Sequence, residues 1–196
     1  MEYNIVIYGC DNSGKTTLAK NLIHNMMGFF KGSPVDFSYI HSLGPVSAGE
    51  QTQFMYKETR RDPGLKVRVF DRFPLVEERI CGTILRGRDL FANDHTLRAM
   101  MFGRIDLLIF CDPGTEAIQN WGDREQMAGV KENAMEMYQG YKRLGWEFKE
   151  CHLENKTLVY NFKEDPTAEE ISFEVTYLAD LALTRAKRLK ESGGVI

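Results

Sequence analysis

A glycine-rich loop between an apolar run and an amphipathic segment constrains this chain more than any other feature of its sequence. Residues 9–16 spell GCDNSGKT and match the phosphate-binding pattern G-x-x-x-x-G-K-[ST] at every fixed position. The apolar run at residues 3–8 predicts a strand before this loop, and residues 15–27 predict a helix after it. Such a loop turns its backbone amides toward phosphate oxygens, and the helix amino terminus adds partial positive charge. The motif therefore predicts an α/β protein that binds the phosphates of a nucleotide.

The positions of this phosphate-binding loop, or P-loop, have separate predicted roles. Lys15 is expected to reach the β and γ phosphates of ATP, and the Thr16 hydroxyl is expected to hold Mg2+. The residues predicted to bind the nucleotide phosphates are Gly9, Asp11, Asn12, Ser13, Gly14, Lys15, Thr16 and Thr17. Guanine-specific switch proteins usually carry an N-K-x-D motif, whereas residues 155–158 read NKTL here and lack the aspartate. The GTPase-switch interpretation is therefore weak, and because 196 residues are also short for a motor ATPase, the sequence favours a kinase.

Short apolar runs predict five parallel strands. Most of the runs are continuous rather than alternating, which is typical of strands covered by helices on both faces. They occupy residues 3–8, 35–40, 67–70, 107–111 and 157–162. Helical stripes of apolar residues lie between them, starting at Leu18, Val76, Val130 and Ile171. This alternation predicts a three-layer α/β fold of the P-loop kinase type, with a central five-stranded parallel sheet and ligands beyond the carboxyl ends of its strands.

The composition is typical of one intracellular domain. The 196 residues are 43% hydrophobic, which is enough for one core, so we expect a single domain over residues 1–196. With 25 basic and 28 acidic side chains, the net charge of −3 gives no field that would attract nucleic acid or an anionic membrane. The four cysteines form no CxxC pair, so neither a zinc site nor a disulfide framework is expected. No apolar run reaches the ~18 residues of a membrane span, and we expect a cytoplasmic protein.

A second charged pair follows the third apolar run. Asp71 and Arg72 come directly after residues 67–70 and precede Phe73 and Pro74. At the carboxyl end of a parallel strand, Asp71 is placed to orient the magnesium shell, and Arg72 is placed to grip an acceptor phosphate with two hydrogen bonds. The alternative is that Asp71 only caps the helix that begins at Pro74.

Together these motifs resemble the thymidylate kinase branch of the nucleoside monophosphate kinases. Members of that branch pair a GxDGxGKTT-like P-loop with a downstream Asp-Arg-aromatic motif, and here residues 9–17 and 71–73 carry the two motifs. Residues 106–113, 123–126 and 160–171 also look similar to segments of the family. The resemblance covers most of the chain. It implies a phosphotransferase that uses ATP, Mg2+ and nucleotide substrates, and it implies a homodimer.

The resemblance also assigns roles to single residues. It places Asp11 near the acceptor's sugar or the metal, and Arg72 on the acceptor phosphate. It places Arg124 in a short lid, about residues 115–128, close to the transferred phosphoryl group. The catalytic set is then Lys15, Asp11, Asp71, Arg72 and Arg124, with Thr16 and Asp71 at the metal. Two departures stand out, because Asn12 occupies the P-loop position where part of the family has a catalytic arginine, and residues 116–123 contain no second lid arginine.

Four further residues are candidates for binding the acceptor. His41 ends the second predicted strand, and Tyr56 and Arg60 lie on a predicted helix where they could stack on a base and hold phosphate. Phe73 could line the base pocket. The alternatives are a polar strand end for His41, a solvated helix face for Tyr56 and Arg60, and a core aromatic for Phe73.

The sequence leaves three functions open. The leading hypothesis is a deoxynucleoside monophosphate kinase, whose acceptor oxygen is already anionic and needs no general base. The alternative is a kinase of a hydroxyl group, on a nucleoside or on a hydroxymethylpyrimidine such as 5-hydroxymethyluracil in DNA. A carboxylate must then take the hydroxyl proton, and Asp11 and Asp71 are the candidates. The third is a nucleotide-binding protein with little turnover, because the lid lacks the second arginine.

Overall fold

One five-stranded parallel sheet organises the chain. The structure is a computed structural model, and it describes residues 2–42, 47–60, 64–119, 128–150, 157–163 and 168–192. The strands within these ranges are β1 (Glu2–Tyr8), β2 (Val35–His41), β3 (Leu65–Asp71), β4 (Leu107–Cys111) and β5 (Thr157–Tyr160). They lie in the order β2-β3-β1-β4-β5, and every neighbouring pair is parallel. The predicted five-stranded parallel sheet is therefore confirmed.

Helices connect the strands. Within the described ranges they are α1 (Lys15–Phe29), α2 (Ala48–Glu58), α3 (Pro74–Glu77), α4 (Thr83–Arg86), α5 (His95–Phe102), α6 (Gly114–Gln119), α7 (Ala134–Phe148) and α8 (Ala168–Glu191). A π-helical turn over Glu78–Gly82 separates α3 from α4. The sequence pattern predicted one regular helix through this region. The π-helical turn interrupts this helix, and Ile80 and Cys81 within the turn are both buried.

Several predicted boundaries differ from the structure by a few residues. Helix α7 begins at Ala134 rather than at Val130, although Val130 is buried in the turns that precede the helix. Strand β5 ends at Tyr160 rather than at residue 162, and Phe162 packs near Gly14 of the P-loop. Val130 continues the buried face of α7 into the turns before it, whereas Phe162 is 45% exposed, so in both cases the apolar pattern runs past the hydrogen-bonded element.

Two hydrophobic cores lie on opposite faces of the sheet. Alternate residues of β1 supply both cores, because Val6 and Tyr8 pack on one face and Ile5 and Ile7 pack on the other. The first core includes buried side chains of α2, α3, α5 and α7, and the second includes those of α1 and α8. The sheet is thus covered by helices on both faces, as the continuous apolar strands predicted.

The strand order brings three carboxyl ends together. Strand β1 lies between β3 and β4, so the loop that begins at Gly9 follows β1 beside Asp71 at the end of β3 and Cys111 at the end of β4. In open parallel sheets this edge is where ligands bind. None of the helices that the structure describes has the length and apolarity needed to cross a membrane.

Candidate active site

The P-loop depends on three residues with positive φ angles. Gly9 has a φ of 143°, Gly14 of 83° and Asn12 of 64°. A Cβ atom at Gly9 would lie 2.7 Å from the carbonyl oxygen of Cys111, so glycine is required where the loop passes the end of β4. Asn12 donates from Nδ2 to the carbonyl oxygen of Ala117 at 2.8 Å, and this bond ties the loop to α6. Asn12 therefore connects the loop to α6 through its side chain.

The ammonium group of Lys15 lies inside this loop. The side chain is 5% exposed, and Nζ donates hydrogen bonds to the carbonyl oxygens of Gly9 at 2.8 Å and Cys10 at 2.5 Å. The Asp11 Oδ1 atom lies 3.8 Å from the same Nζ. The loop therefore encloses a positive charge at the amino end of α1, next to backbone amides that are suited to anions.

The Thr16 hydroxyl and the Asp71 carboxylate meet between α1 and the end of β3. Thr16 Oγ1 donates to Asp71 Oδ2 at 2.6 Å, and the Asp71 side chain is completely buried. Burial raises the pKa of Asp71, but the hydrogen bonds from Thr16 and Tyr39 and the charge of Lys15 outweigh it, so the pKa lies below its ordinary value. Asp71 is therefore held as a carboxylate. The helix beginning at Pro74 has Phe73 as its N-cap residue, without a side-chain cap, which excludes the capping interpretation of Asp71.

Two residues of β2 also contact Asp71. The Tyr39 hydroxyl donates to Asp71 Oδ2 at 2.8 Å, and His41 Nδ1 lies 3.2 Å from the same oxygen. Tyr39 and His41 are two residues apart on one strand, so both side chains point to the same face of the sheet. His41 was predicted to contact the acceptor. The structure places its imidazole on the carboxylate that was predicted to bind the metal.

The Arg72 guanidinium pairs with Asp11 of the P-loop. Arg72 has a φ of 76°, which is uncommon for a residue with a side chain, and its backbone amide donates to the Ile7 carbonyl oxygen at 3.0 Å. Burial lowers the pKa of Arg72, but the Glu77 and Asp11 carboxylates raise it above its ordinary value. The strained backbone aims the guanidinium from the end of β3 toward the P-loop.

Glu77 supplies a third carboxylate to the candidate site, near Arg72, which the sequence did not identify. Its Oε2 atom accepts a 2.7 Å hydrogen bond from the Tyr141 hydroxyl, and Cys81 Sγ lies 3.6 Å from the same oxygen. Its Oε1 atom is buried and has no hydrogen-bond partner among the described residues. Burial raises the pKa of Glu77, and the nearby charges of Arg72 and Lys15 oppose this rise only in part.

The contact between Thr16 and Asp71 is a suitable place for Mg2+. Hydroxyl and carboxylate oxygens are ligands that this ion prefers, and Mg2+ is usually bound through one or two carboxylates together with substrate phosphates. The Asp71 Oδ1 atom is buried without a hydrogen-bond partner among the described residues, so one carboxylate oxygen is left to meet a cation. The two residues that the sequence assigned to the metal therefore fit it chemically.

The structure does not bring every predicted acceptor residue to the carboxyl ends of the strands, where the P-loop and Asp71 lie. Phe73 is completely buried and packs edge-on against Phe70, so it belongs to the core and exposes no surface to an acceptor. The Tyr56 hydroxyl contacts Met100 Sδ, and the Tyr56 ring lies under the guanidinium of Arg104. Arg104 precedes β4, at the edge of the sheet opposite the P-loop.

The direction of α2 explains the positions of Tyr56 and Arg60. The helix follows the carboxyl end of β2 and leads back to the amino end of β3, so its last turns lie away from Asp71. Arg60 follows α2, and its carbonyl oxygen accepts a hydrogen bond from Arg68 Nη1 at 3.2 Å. These contacts do not support the acceptor role predicted for the two residues. Arg124 and most of the predicted lid lie outside the described residues.

Solved structures match the chain over most of its length, whereas no protein-family model and no curated protein matches its sequence. The YorR protein of Bacillus subtilis, in complex with phosphorylated GDP, has a TM-score of 0.64 at 12% identity, covering 91% of this chain and 96% of that one. Thymidylate kinase from Ehrlichia chaffeensis has a TM-score of 0.52 at 14% identity, with coverage of 90% and 98%.

A third solved structure extends the likeness to a longer protein. The NadR protein in complex with NR has a TM-score of 0.56 at 16% identity, covering 91% of this chain. This chain spans 52% of the NadR chain, or about half its length. At such identities the likeness shows the fold, and the chain has the P-loop nucleotide-kinase-like fold that its sequence predicted.

Proposed function

We propose that this protein is a kinase that uses ATP and Mg2+ to phosphorylate a deoxynucleoside monophosphate. The complete P-loop motif, the Asp-Arg-aromatic sequence after β3 and the fold shared with a thymidylate kinase support this function. On this proposal, the P-loop binds the donor phosphates. The end of β3 then faces the acceptor.

One observation carries the proposal, namely that two contacts join the P-loop to the end of β3. Thr16 donates to Asp71, and Asp11 pairs with Arg72. On this proposal, the contact between Thr16 and Asp71 lies where the donor phosphates and their metal ion would bind. The contact between Asp11 and Arg72 holds a guanidinium that is suited to binding the acceptor phosphate. Because Asp71 and Arg72 are adjacent in sequence, one segment of backbone would set the distance between the metal ion and the acceptor phosphate.

Phosphoryl transfer depends mainly on positioning and on neutralising charge. Lys15 and the loop amides would hold the donor phosphates, and Arg72 would exchange part of its contact with Asp11 for the acceptor phosphate. Thr16 and Asp71 would hold Mg2+, which neutralises charge on the donor phosphates when it is bound. A monophosphate acceptor already carries an anionic oxygen, so none of these residues has to remove a proton.

A substrate screen tests this function directly. The protein would be incubated with ATP, Mg2+ and each deoxynucleoside monophosphate in turn, and ADP release would be coupled to NADH oxidation. Turnover of at least one monophosphate is expected, together with its loss in a folded Lys15→Ala variant. If ATP binds but no monophosphate is phosphorylated, the proposed acceptor is wrong. If ATP binds and no phosphoryl group reaches any acceptor, the protein is a nucleotide-binding protein.

A kinase of a hydroxyl group is the second candidate, and Glu77 is the observation that favours it. A hydroxyl acceptor needs a base, and a carboxylate whose pKa is raised by burial is better matched to that role than an ordinary one. Glu77 lies near Arg72 and has a buried oxygen without a hydrogen-bond partner among the described residues. Transfer of labelled phosphate to a nucleoside or to duplex DNA containing 5-hydroxymethyluracil, but to no monophosphate, would establish this function.

A further inference from the structure

An apolar stripe on α8 faces solvent. Phe173, Tyr177 and Leu181 are 73%, 55% and 48% exposed, and their spacing of four residues places them along one side of the helix. The opposite side of the same helix is buried in the second core, through Ile171 and Val175 among others. Contiguous apolar side chains on the outside of an already packed helix are a feature of protein–protein interfaces.

Charged side chains of opposite sign lie at the two ends of this stripe. Exposed acidic residues near the amino end of α8 are Glu169, Glu170 and Glu174, and exposed basic residues near its carboxyl end are Arg185, Lys187 and Arg188. Two copies of the helix packed in parallel would bring like charges together. Packed antiparallel, they bring each acidic end against a basic end. The stripe is therefore self-complementary about a two-fold axis.

A surface depression lies next to the stripe. Its lining residues are Leu181, Thr184, Arg185, Arg188 and Ser192. When two α8 helices cross antiparallel with Tyr177 of one copy opposite Leu181 of the second copy, Phe173 of the first lies over the depression of the second. Arg185 of the second copy can then place its guanidinium against the Phe173 ring, which is a favourable contact when water is excluded.

We propose that α8 is the surface through which two copies of this chain associate, with their α8 helices antiparallel. In this dimer, Glu174 of one copy pairs with Arg185 of the second, and Glu170 pairs with Arg188. The two-fold axis forms each pair twice. The proposal is independent of the proposed function, because no residue of the candidate active site takes part.

Sedimentation velocity over a concentration series tests the surface. The unmodified chain is expected to show a monomer–dimer equilibrium, and Tyr177→Asp is expected to raise its Kd by ~30-fold or more, since the substitution removes a central aromatic contact. Trp146→Asp is the matched control, because Trp146 is 64% exposed on α7 and lies outside the stripe. A monomer at every concentration, or equal effects of the two variants, would overturn the proposal.

A charge exchange tests the antiparallel arrangement. The double variants Glu170→Arg with Glu174→Arg, and Arg185→Glu with Arg188→Glu, each place like charges together in an antiparallel homodimer. Each alone is expected to be monomeric at concentrations where the unmodified chain dimerises. Their mixture is expected to form a heterodimer in which every pair is again of opposite sign. If either double variant dimerises as tightly as the unmodified chain, or if mixing restores no dimer, the α8 arrangement is wrong.

Discussion

The Thr16 hydroxyl donates a 2.6 Å hydrogen bond to Asp71 Oδ2, so the two residues predicted to bind magnesium contact each other although 55 positions separate them in sequence. Asp71 also accepts from Tyr39 and lies next to His41. These contacts hold the carboxylate in one orientation, and its second oxygen is buried without a hydrogen-bond partner among the described residues. On the proposed function, the carboxylate that would hold Mg2+ is therefore oriented before a nucleotide binds.

Replacing Asp71 with asparagine tests whether the negative charge of this side chain, rather than its shape, is needed for activity. The Asp71→Asn side chain keeps the volume of the original but loses its negative charge, and we expect kcat to fall about 10²- to 10³-fold because the metal loses its protein carboxylate. Initial rates over a Mg2+ titration would measure this. The control is Asp112→Asn, a carboxylate after β4 that accepts from the Tyr138 hydroxyl at 2.6 Å. Equal rates for the two variants would remove Asp71 from the metal site.

Arg72 should set the affinity for the acceptor rather than for ATP. Arg72→Lys keeps a positive charge but loses the planar fork that binds a phosphate through two hydrogen bonds, so the acceptor KM should rise about 10-fold or more. The Kd for ATP should change less than about twofold. Steady-state kinetics and ATP titrations measure the two quantities, and Arg79→Lys, in a more exposed pair with Glu147, is the control. A selective loss of ATP affinity would contradict the assignment.

Arg124 is expected to act on the transferring group, as the family resemblance implies. Its removal in Arg124→Ala should lower kcat about 10³-fold while the Kd for ATP stays within about threefold, because an arginine of this kind stabilises charge that develops only in the transition state. Single-turnover kinetics would report the chemical step. Arg143→Ala, at an exposed position of α7, is the control. A rate unchanged by Arg124→Ala would exclude the residue from the mechanism.

Local sequence signals predicted the fold and the central part of the site. The P-loop has a fixed spacing, and Asp71 and Arg72 follow an apolar strand directly, so both features could be located from neighbouring residues alone. The continuous apolar runs predicted a sheet covered on both faces, which the two cores confirm. Such features depend on the backbone period and on residues close in sequence.

The remaining site residues could not be predicted because distant segments bring them together. The Tyr141 hydroxyl reaches Glu77 across 64 positions, and no local pattern distinguishes Glu77 from an exposed helical glutamate. Phe73 follows the Asp-Arg pair and was predicted to line the base pocket, but it is buried against Phe70. The position of Tyr56 depends on the direction of α2, which is decided by tertiary packing.

Glu77 should make stability depend on pH in the opposite sense from a salt-bridged carboxylate. The pKa of Glu77 is raised in the folded protein. Its contribution to the free energy of unfolding is therefore fully present below the unfolded-state pKa of about 4.3, and it is lost as pH rises through the folded-state pKa. A glutamine side chain does not ionise, so the Glu77→Gln variant does not lose this stability as pH rises. The variant should therefore gain free energy of unfolding relative to the unmodified chain as pH increases, whereas the difference should shrink in acid.

Urea denaturation at a series of pH values would measure that difference. Comparing the two proteins at each pH cancels the contributions of Asp71 and other titrating groups that both share. Glu136→Gln, at an exposed position of α7, is the matched control for the substitution itself. A Glu77→Gln difference that does not change with pH, or that grows in acid, would show that the Glu77 carboxylate is not destabilised in the folded state.

Gly9 should be the least replaceable glycine of the P-loop. Its φ of 143° is strained for any residue with a side chain, and the Cβ of Gly9→Ala would lie 2.7 Å from the backbone oxygen of Cys111. We expect the free energy of unfolding to fall by about 2–4 kcal/mol and nucleotide binding to be lost, because the loop must move away from β4. Gly28→Ala is the control, since a Cβ there meets nothing within 4 Å and the position is helical. That variant should be more stable by about 0.5–1 kcal/mol. Thermal unfolding with and without ATP separates the two effects, and a Gly9→Ala protein that is still stabilised by ATP would show that the loop tolerates the displacement.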